Sequence, residues 1–562
     1  MRQPHFRLLC AAAVIAPLAA CGGSDDGLPQ LSAATPAALL SCTDLASKIS
    51  YANTAITAAE LVPTGTLKVA GKDVPEHCRL TGRMFQRVSP VDGQSYAIGF
   101  EMRLPRNWNG RFFYQANGGI DGSVVTATGV IGGAGWLDNA LNKGFAVLSS
   151  DAGHGRPAPF FGLDPQARLD YGYQAVGKLT PMAKSAIQTA YGKVPDRSYI
   201  GGCSNGGRHA MVAAARYADQ YDGVMAGDPG TRLPLAAIAN IAGAQGYASL
   251  ATTPSDPATG FTQAERTLVS RAVLAKCDAL DGAIDGMVQN NAACQAAFDL
   301  DRDVPTCSGA RDGSCLSAAQ KTTIDGLFKG ARTSTGTKFY TSFPYDAGLN
   351  TNDWANWKFR NSLNLDSGAV GFIWQVPPES PSGFNGPSFT LTGNVDSMLA
   401  KVQATNATFT ESALSFMLPP DYGNLPVLKN RGAKLMVYHG TSDPIFSSDD
   451  TVAWYETLRR NNGNAASDFA RLYLVPGMNH CVGGPSTDQF DMLEALVGWV
   501  ERGHAPDSVI ASARGPGNPG GANADVPADW SANRTRPLCA YPQVAQYKGT
   551  GSLEDAANFS CR

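Results

Sequence analysis

From about residue 96 to residue 229 the chain alternates strand-like and helix-like segments, and this pattern narrows its fold most. "YAIGFEMRLP", "GRFFYQANGG" and "GFAVLSSDAGH" read as strands. "DYGYQAVGKLTPMAKSAIQTAYG" reads as a helix, followed by the strand "RSYIGGCS", the helix "GGRHAMVAAARYA" and the strand "YDGVMAGDPG". Parallel neighbours need a crossover, which a helix supplies, so the alternation predicts an α/β sheet with parallel strands. It breaks over 230–430, where helical signals are scattered, turns are many and four cysteines fall. It resumes with the strand "AKLMVYHG", the helix "TVAWYETLRRN", the strand "ARLYLVPG" and the helix "DMLEALVGWVERG". The expectation is one sheet, interrupted by a large insertion and then completed. Ligands bind outside the carboxyl ends of such strands, where an insertion can form a lid.

Gly202-Cys203-Ser204-Asn205-Gly206 fits G-x-S-x-G with a strand before it and a helix after, the context that motif requires. The glycines allow a tight strand-to-helix turn that lifts Ser204 above the sheet edge. The expected class is therefore α/β, an α/β-hydrolase fold with a large inserted lid domain. The expected limits are 42–229 and 431–562 for the core and 230–430 for the lid. The backbone N–H of Asn205 would face a developing oxyanion. A second donor is expected from the turn "YQANGGIDG", at Gly118 or Gly119.

A serine nucleophile needs a base, and in this fold the chain order is Ser, then Asp or Glu, then His. Of seven histidines, His480 in "PGMNHC" stands just past the final strand and is the expected base. His439 lies inside a strand-like run, where a satisfied core role is expected. Asp443 in "HGTSDPIF" would orient the base, with Asp449, Asp450 and Asp228 as alternatives; Asp449 and Asp450 also suit the cap of the next helix.

Arg2, Arg7 and "LLCAAAVIAPLAA" make residues 1–21 an export signal, with an apolar core too short to span a bilayer. It ends in "LAAC", which resembles a lipoprotein box with Cys21 as the lipidated residue, and residues 22–41 read as a flexible linker. The expected location is periplasmic or on the outer membrane, tethered by lipid, or fully secreted. Ten cysteines then remain, an even number suited to five disulfides in an oxidising compartment. Cys277 and Cys294, Cys307 and Cys315, and Cys539 and Cys561 are close enough to read as local loops. Cys203 precedes Ser204 and Cys481 follows His480. If serine and base are within hydrogen-bond reach, their chain neighbours are close enough for a bridge. A net charge of -3, with 17% charged residues, gives no footprint for nucleic acid.

"GGCSNGGRHAM", "YHGTSDPIF", "PGMNHC" and "RTRPLCAYPQVAQYKGTGS…ANFSC" resemble the tannase/feruloyl esterase family, which also includes mono(hydroxyethyl) terephthalate hydrolases. The likeness runs from about Cys42 to Cys561 and is weakest in the insertion. It implies Ser204 as nucleophile, His480 as general base and Asp443 as its partner. It also implies five disulfides: Cys42 with Cys78, Cys203 with Cys481, Cys277 with Cys294, Cys307 with Cys315, and Cys539 with Cys561.

"CDALDGAIDGMVQNNAAC" gathers Asp278, Asp281 and Asp285 in one loop between Cys277 and Cys294. Three carboxylates in a short loop repel unless a hard cation joins them, and calcium takes such oxygens together with main-chain carbonyls, here Ala283 and Met287. The spacing does not match an EF-hand. The family resemblance implies a structural calcium at this loop; no organic cofactor is expected.

Trp354, Trp357, Phe359, Phe372, Trp374 and Phe389 offer walls for a flat aromatic acid, and Arg360 a receiver for a carboxylate. Trp357, Arg360, Phe372 and Trp374 are the candidate substrate contacts, against the plainer reading that most of these form the insertion's own core. The expected activity is a serine carboxylesterase acting on aromatic acyl esters of feruloyl or galloyl type. The alternatives are a terephthalate monoester hydrolase, an acyl transferase with the same triad, and a non-catalytic binding lipoprotein on this scaffold.

Overall fold

The computed structural model describes residues 28–131 and 139–562; the signal, Cys21 and the first part of the linker lie outside the described residues. Nine strands form the central sheet: β1 (Thr54–Val62), β2 (His77–Val88), β3 (Ser95–Pro105), β4 (Arg111–Gln115), β5 (Ala146–Ser150), β6 (Arg197–Cys203), β7 (Gly223–Gly227), β8 (Lys434–Gly440) and β9 (Ala470–Val475). Their spatial order is β9-β8-β7-β6-β4-β5-β3-β2-β1. Strands β4 to β9 are parallel, and β3, β2 and β1 add antiparallel at one edge. This is an α/β-hydrolase core.

The two-residue period of a strand sends alternate side chains to opposite faces. Phe112, Tyr114, Ile200, Val224 and Leu435 therefore pack with α1 (Ala175–Tyr191), α2 (Asn205–Arg216) and α3 (Ser448–Asn461). Their neighbours Phe113, Tyr199, Met225 and Met436 face α4 (Met492–Arg502) through Leu493, Leu496 and Trp499. Burial on both faces explains why the central strands read as unbroken apolar runs. Strands β1 and β2, ahead of residue 96, were not expected from the alternation. "TAITAAELV" and "HCRLTGRMFQRV" carry too many small or charged residues for a buried-strand pattern, as suits the two outermost, partly exposed strands of the sheet.

The chain between β7 and β8 builds mostly helices, among them Leu233–Ser249, Gln263–Cys277, Ala318–Phe328 and Val395–Gln403. Tyr247, Phe261, Trp354 and Phe359 make one apolar cluster there, and Ile238, Val370, Trp374 and Phe416 join Tyr171 in another. Gln489–Phe490, just ahead of α4, pairs with Ser508–Ser512 and Thr535–Cys539 beyond it in an antiparallel sheet, and a ribbon of Ala545–Tyr547 and Phe559–Cys561 closes the chain.

Five disulfides are formed: Cys42 with Cys78, Cys203 with Cys481, Cys277 with Cys294, Cys307 with Cys315, and Cys539 with Cys561. Cys78 is wholly buried at the start of β2, a strand that the alternation did not predict. Its bridge to Cys42, with Cα atoms 5.5 Å apart, fastens the chain ahead of β1 to this side of the sheet.

Candidate active site

Ser204 sits between β6 and α2 at φ 65°, ψ -128°, a strained conformation for a residue with a side chain. Close packing holds the turn in place. A Cβ on Gly202 would stand 2.5 Å from the main-chain oxygen of Ala116, and one on Gly206 would stand 2.4 Å from the same atom. Only glycine lets the turn lie against the chain that follows β4. That chain brings Gly118 beside Ser204: a Cβ there would be 3.8 Å from the Ser204 Cβ. Among the described residues no acceptor takes the main-chain N–H of Asn205, Gly118 or Gly119. Three main-chain donors beside the Ser204 turn are thus left unengaged.

His480 follows β9 and Asp443 follows β8, so two neighbouring strand ends bring them together. Nδ1 of His480 donates to Oδ2 of Asp443 at 2.7 Å. The other oxygen, Oδ1, accepts from the N–H of Ile445 at 2.8 Å and of Phe446 at 3.0 Å. The carboxylate is fixed on both sides, and the imidazole is left with Nε2 buried and without a protein partner. Trp357 and Phe446 stand edge-on to the ring at 5.2 and 5.3 Å between centroids. Burial works against a charged imidazole, but the Asp443 carboxylate overcomes it and holds His480 above its ordinary value. Asp443 is held far below the usual carboxylate range; burial opposes this, and His480 and His439 outweigh it. No hydrogen bond joins Nε2 to Ser204 Oγ; such contacts are often long before substrate arrives and tighten in the complex.

The alternatives to Asp443 are engaged elsewhere. Asp228 accepts from Gly440 N–H at 2.8 Å, and burial pushes its carboxyl up to about 7. Asp449 accepts from Ser342 Oγ at 2.6 Å, and Asp450 pairs with Arg232. His439 is fully buried, with its ring nitrogens on Thr451 Oγ1 and the Phe446 carbonyl. The Cys203–Cys481 bridge spans 278 positions with Cα atoms 6.0 Å apart, tying the neighbours of Ser204 and His480 together.

Ser204, His480, both of these cysteines, Gly118, Gly119 and Trp357 line one cleft of about 550 Å³. Its far wall is the chain after β4, including Asp121, Ser123, Val125 and Thr128. The sequence reading missed these, although a loop leaving the carboxyl end of a central strand was their signal. Arg360, Phe372 and Trp374 do not reach this cleft. Arg360 is exposed in a separate depression beside Asn356 and Phe359. Residues Asn356–Asp366 wind with i→i+5 spacing, so position 360 does not stack beside 357 as an α-helix would place it. Phe372 packs between Phe160 and Phe384, and Trp374 lies in the insertion's apolar cluster.

In the acidic loop, Asp278 accepts from the N–H groups of Asp285 and Gly286, both at 2.9 Å. Asp281 accepts from Ala283 N–H at 3.0 Å through Oδ1, while Oδ2 is buried without a partner. Among the described residues nothing donates to the carbonyls of Ala283 and Met287, although both residues are buried. Burial, with Asp285 and Asp278 nearby, pushes Asp281 up to about 7. Asp285 pairs with Arg536, and among the described residues the three carboxylates do not close to within 4.8 Å of one another. The orphaned carboxylate oxygen and two free carbonyls are donors that suit a hard divalent cation.

Comparison with known proteins decides the family. The model described as "Tannase and feruloyl esterase" matches residues 78–562. The chain belongs to the tannase and feruloyl esterase family. The match opens at Cys78, later than the onset near Cys42 read from the sequence; ahead of it β1, "TAITAAELV", is mostly small residues with little pattern to align. The chain is 40% identical over 526 residues to the mono(2-hydroxyethyl) terephthalate hydrolase of Piscinibacter sakaiensis, covering 87% of this chain and 85% of that protein. It is 26% identical over 566 residues to feruloyl esterase B of Aspergillus niger, covering 94% and 99% of the two chains. The crystal structure of feruloyl esterase B from Aspergillus oryzae superposes with a TM-score of 0.72 at 22% identity, covering 93% of this chain and 99% of that one. The protein is a carboxylic ester hydrolase with an α/β-hydrolase fold.

Proposed function

We propose that the protein hydrolyses esters of uncharged aromatic carboxylic acids through a serine acyl-enzyme. Ser204 Oγ attacks the ester carbonyl as His480 Nε2 takes its proton. Asp443 holds the ring's Nδ1–H and stabilises the imidazolium. The N–H of Asn205 and one from Gly118 or Gly119 receive the oxyanion. His480 returns the proton to the departing alcohol, and water then repeats the sequence on the acyl-enzyme to release the acid. The observation that carries this reading is the 2.7 Å bond from His480 to a doubly anchored Asp443, with Nε2 free at a cleft that holds Ser204.

The likeness to a terephthalate monoester hydrolase favours a second reading, in which the acyl group carries its own carboxylate. Against it, the described residues of the cleft include no lysine or arginine, and Asp121 is their one acidic side chain. Such a wall repels an anionic acyl group and accepts a neutral ring against Val125, Val130 and Trp357. The chain from 230 to 430 is read as the lid over this cleft. Calcium is assigned to Asp278, Asp281, Asp285 and the carbonyls of Ala283 and Met287, where it would supply positive charge to a loop short of it. Export and a lipid anchor at Cys21 rest on the leader sequence; among the described residues no helix is long and apolar enough to cross a membrane.

Hydrolysis of methyl ferulate, methyl gallate and mono(2-hydroxyethyl) terephthalate by the purified protein tests the reading, with Ser204→Ala alongside. Faster turnover of the neutral esters, lost in a folded Ser204→Ala variant, is expected. Preference for the terephthalate monoester would move the assignment to the second reading, and turnover without Ser204 would end the serine mechanism.

A further inference from the structure

Asp121 has no part in the chemistry proposed above, yet it faces the same cleft. Its side chain is 2% exposed. Oδ2 accepts from Asn205 Nδ2 at 2.8 Å and from His209 Nε2 at 2.9 Å. These two donors are themselves held. Asn205 Oδ1 accepts from Arg208 Nε at 2.7 Å, and His209 Nδ1 lies 3.3 Å from Arg208 Nη2. Burial and then Arg208 keep His209 below its ordinary value, so the neutral ring carries its proton on Nε2, toward Asp121. Arg208, wholly buried, is anchored in turn on the carbonyls of Gly172, Tyr171 and Met417.

The outcome is a carboxylate clamped through one oxygen, with a second that no group among the described residues meets. Oδ1 accepts nothing among the described residues, and it is not among the fully enclosed polar atoms left without partners. Asp121 lines the cleft that holds Ser204, so an oxygen that is neither enclosed nor engaged there is open to a donor from a ligand in that cleft. Apart from His480, no other side chain among the described lining residues carries a charge.

Building on the ester-hydrolase reading above, we infer that Asp121 is a specificity residue whose Oδ1 accepts a hydrogen bond from a phenolic hydroxyl on the substrate's acyl ring. A phenol suits this place better than an alcohol's hydroxyl. Its proton is the more acidic, with a pKa of about 10, and its flat ring matches the apolar walls of Val125, Val130 and Trp357. The preferred substrates are then esters of hydroxylated aromatic acids, and capping the hydroxyl as a methyl ether removes the donor.

The test compares methyl p-coumarate with methyl 4-methoxycinnamate, using wild-type protein and Asp121→Asn. A hydrogen bond to a charged acceptor should favour the phenol by roughly 10- to 100-fold in kcat/KM in the wild type. In Asp121→Asn the amide oxygen turns to the donors Asn205 and His209, leaving an NH₂ at the cleft; the ratio should fall to within about threefold of one. A second arm changes the alcohol, comparing methyl with 2-hydroxyethyl p-coumarate, and that ratio should not respond to the substitution. Equal rates for the two acyl groups in the wild type would overturn the inference even if the variant failed to fold. So would a ratio that survives in Asp121→Asn, or an effect that appears only in the alcohol arm. Wild-type protein inactive on every aryl ester would instead remove the functional reading, and this inference with it.

Discussion

Adding one methyl group at Gly206 tests how tightly the turn and the proposed oxyanion donors are coupled. On helix propensity alone Gly206→Ala should help, since alanine in a helix is favoured over glycine by about 1 kcal/mol. The surroundings decide otherwise. The new Cβ would lie 2.4 Å from the Ala116 oxygen and 3.1 Å from the Asn117 oxygen, both main-chain atoms. Ordinary contact begins at 3.4 Å, so the Ala116–Asn117 segment must withdraw by about 1 Å. Gly118 and Gly119 follow directly and move with it. A displacement of about 1 Å in a positioned group costs on the order of 100-fold in rate, which is the loss expected in kcat/KM on methyl ferulate. Gly243→Ala serves as the control: it lies in the helix Leu233–Ser249, and its added Cβ would meet nothing within 4 Å. That variant should keep its activity and melt at or above the wild-type temperature. If folded Gly206→Ala retains kcat/KM within about threefold of wild type, the segment after β4 does not hold the oxyanion donors.

Three further perturbations follow from the site. Because Asp443 holds His480 above 6.5, the acid limb of kcat/KM should have its midpoint above that value, rate rising as the base loses its proton. Asp443→Asn should lower kcat by about 10⁴ and move the limb downward, since burial is then less opposed; an unmoved limb in a pH profile would dissociate Asp443 from the base. Loss of the bridge in Cys203→Ala/Cys481→Ala removes a constraint over 278 positions, worth at most about 6 kcal/mol by loop-closure entropy and read as a lower urea midpoint. It should also lower kcat/KM below that midpoint, and full activity there would show that the bridge does not align the pair. Chelation of calcium should lower Tm by a few degrees, and Asp281→Asn should abolish that difference while kcat at 25 °C stays constant; identical melting with and without chelator would remove the ion from this loop.

The central strands were legible because burial on both faces leaves short apolar runs ended by glycine, as in "RSYIGGCS" and "AKLMVYHG". The outer strands β1 and β2 were not, since strands only partly buried tolerate small and charged residues that resemble loop sequence. The positions of Ser204, Asp443 and His480 could be read because each follows a strand, and strand ends converge at one edge of a parallel sheet. Asp121 also follows a strand, but as one acid in a glycine-rich run it carries no spacing signal. Its meaning appears only when Asn205 and His209 are seen on one of its oxygens and none on the other. The aromatic residues of the insertion were ambiguous for a different reason. A cluster of tryptophans and phenylalanines buries itself equally well as a helix core or as a ligand wall. Even the correct helix does not tell which side Arg360 takes when the winding departs from 3.6 residues per turn.

Four of the five disulfides join cysteines that are consecutive in the chain, as Cys42 and Cys78 are, and only Cys203–Cys481 does not. Between its two ends lie Cys277, Cys294, Cys307 and Cys315. A chain oxidised in the order of its synthesis would offer Cys203 the thiol of Cys277 first, leaving Cys294 to pair one step out of register with its neighbours. The bond beside Ser204 therefore waits longest for its partner, which lies 278 positions further along the chain. Native pairing is thus expected to need thiol–disulfide exchange as well as oxidation. An expression host with an oxidant but no disulfide isomerase should accumulate protein of the right mass, fully oxidised and inactive.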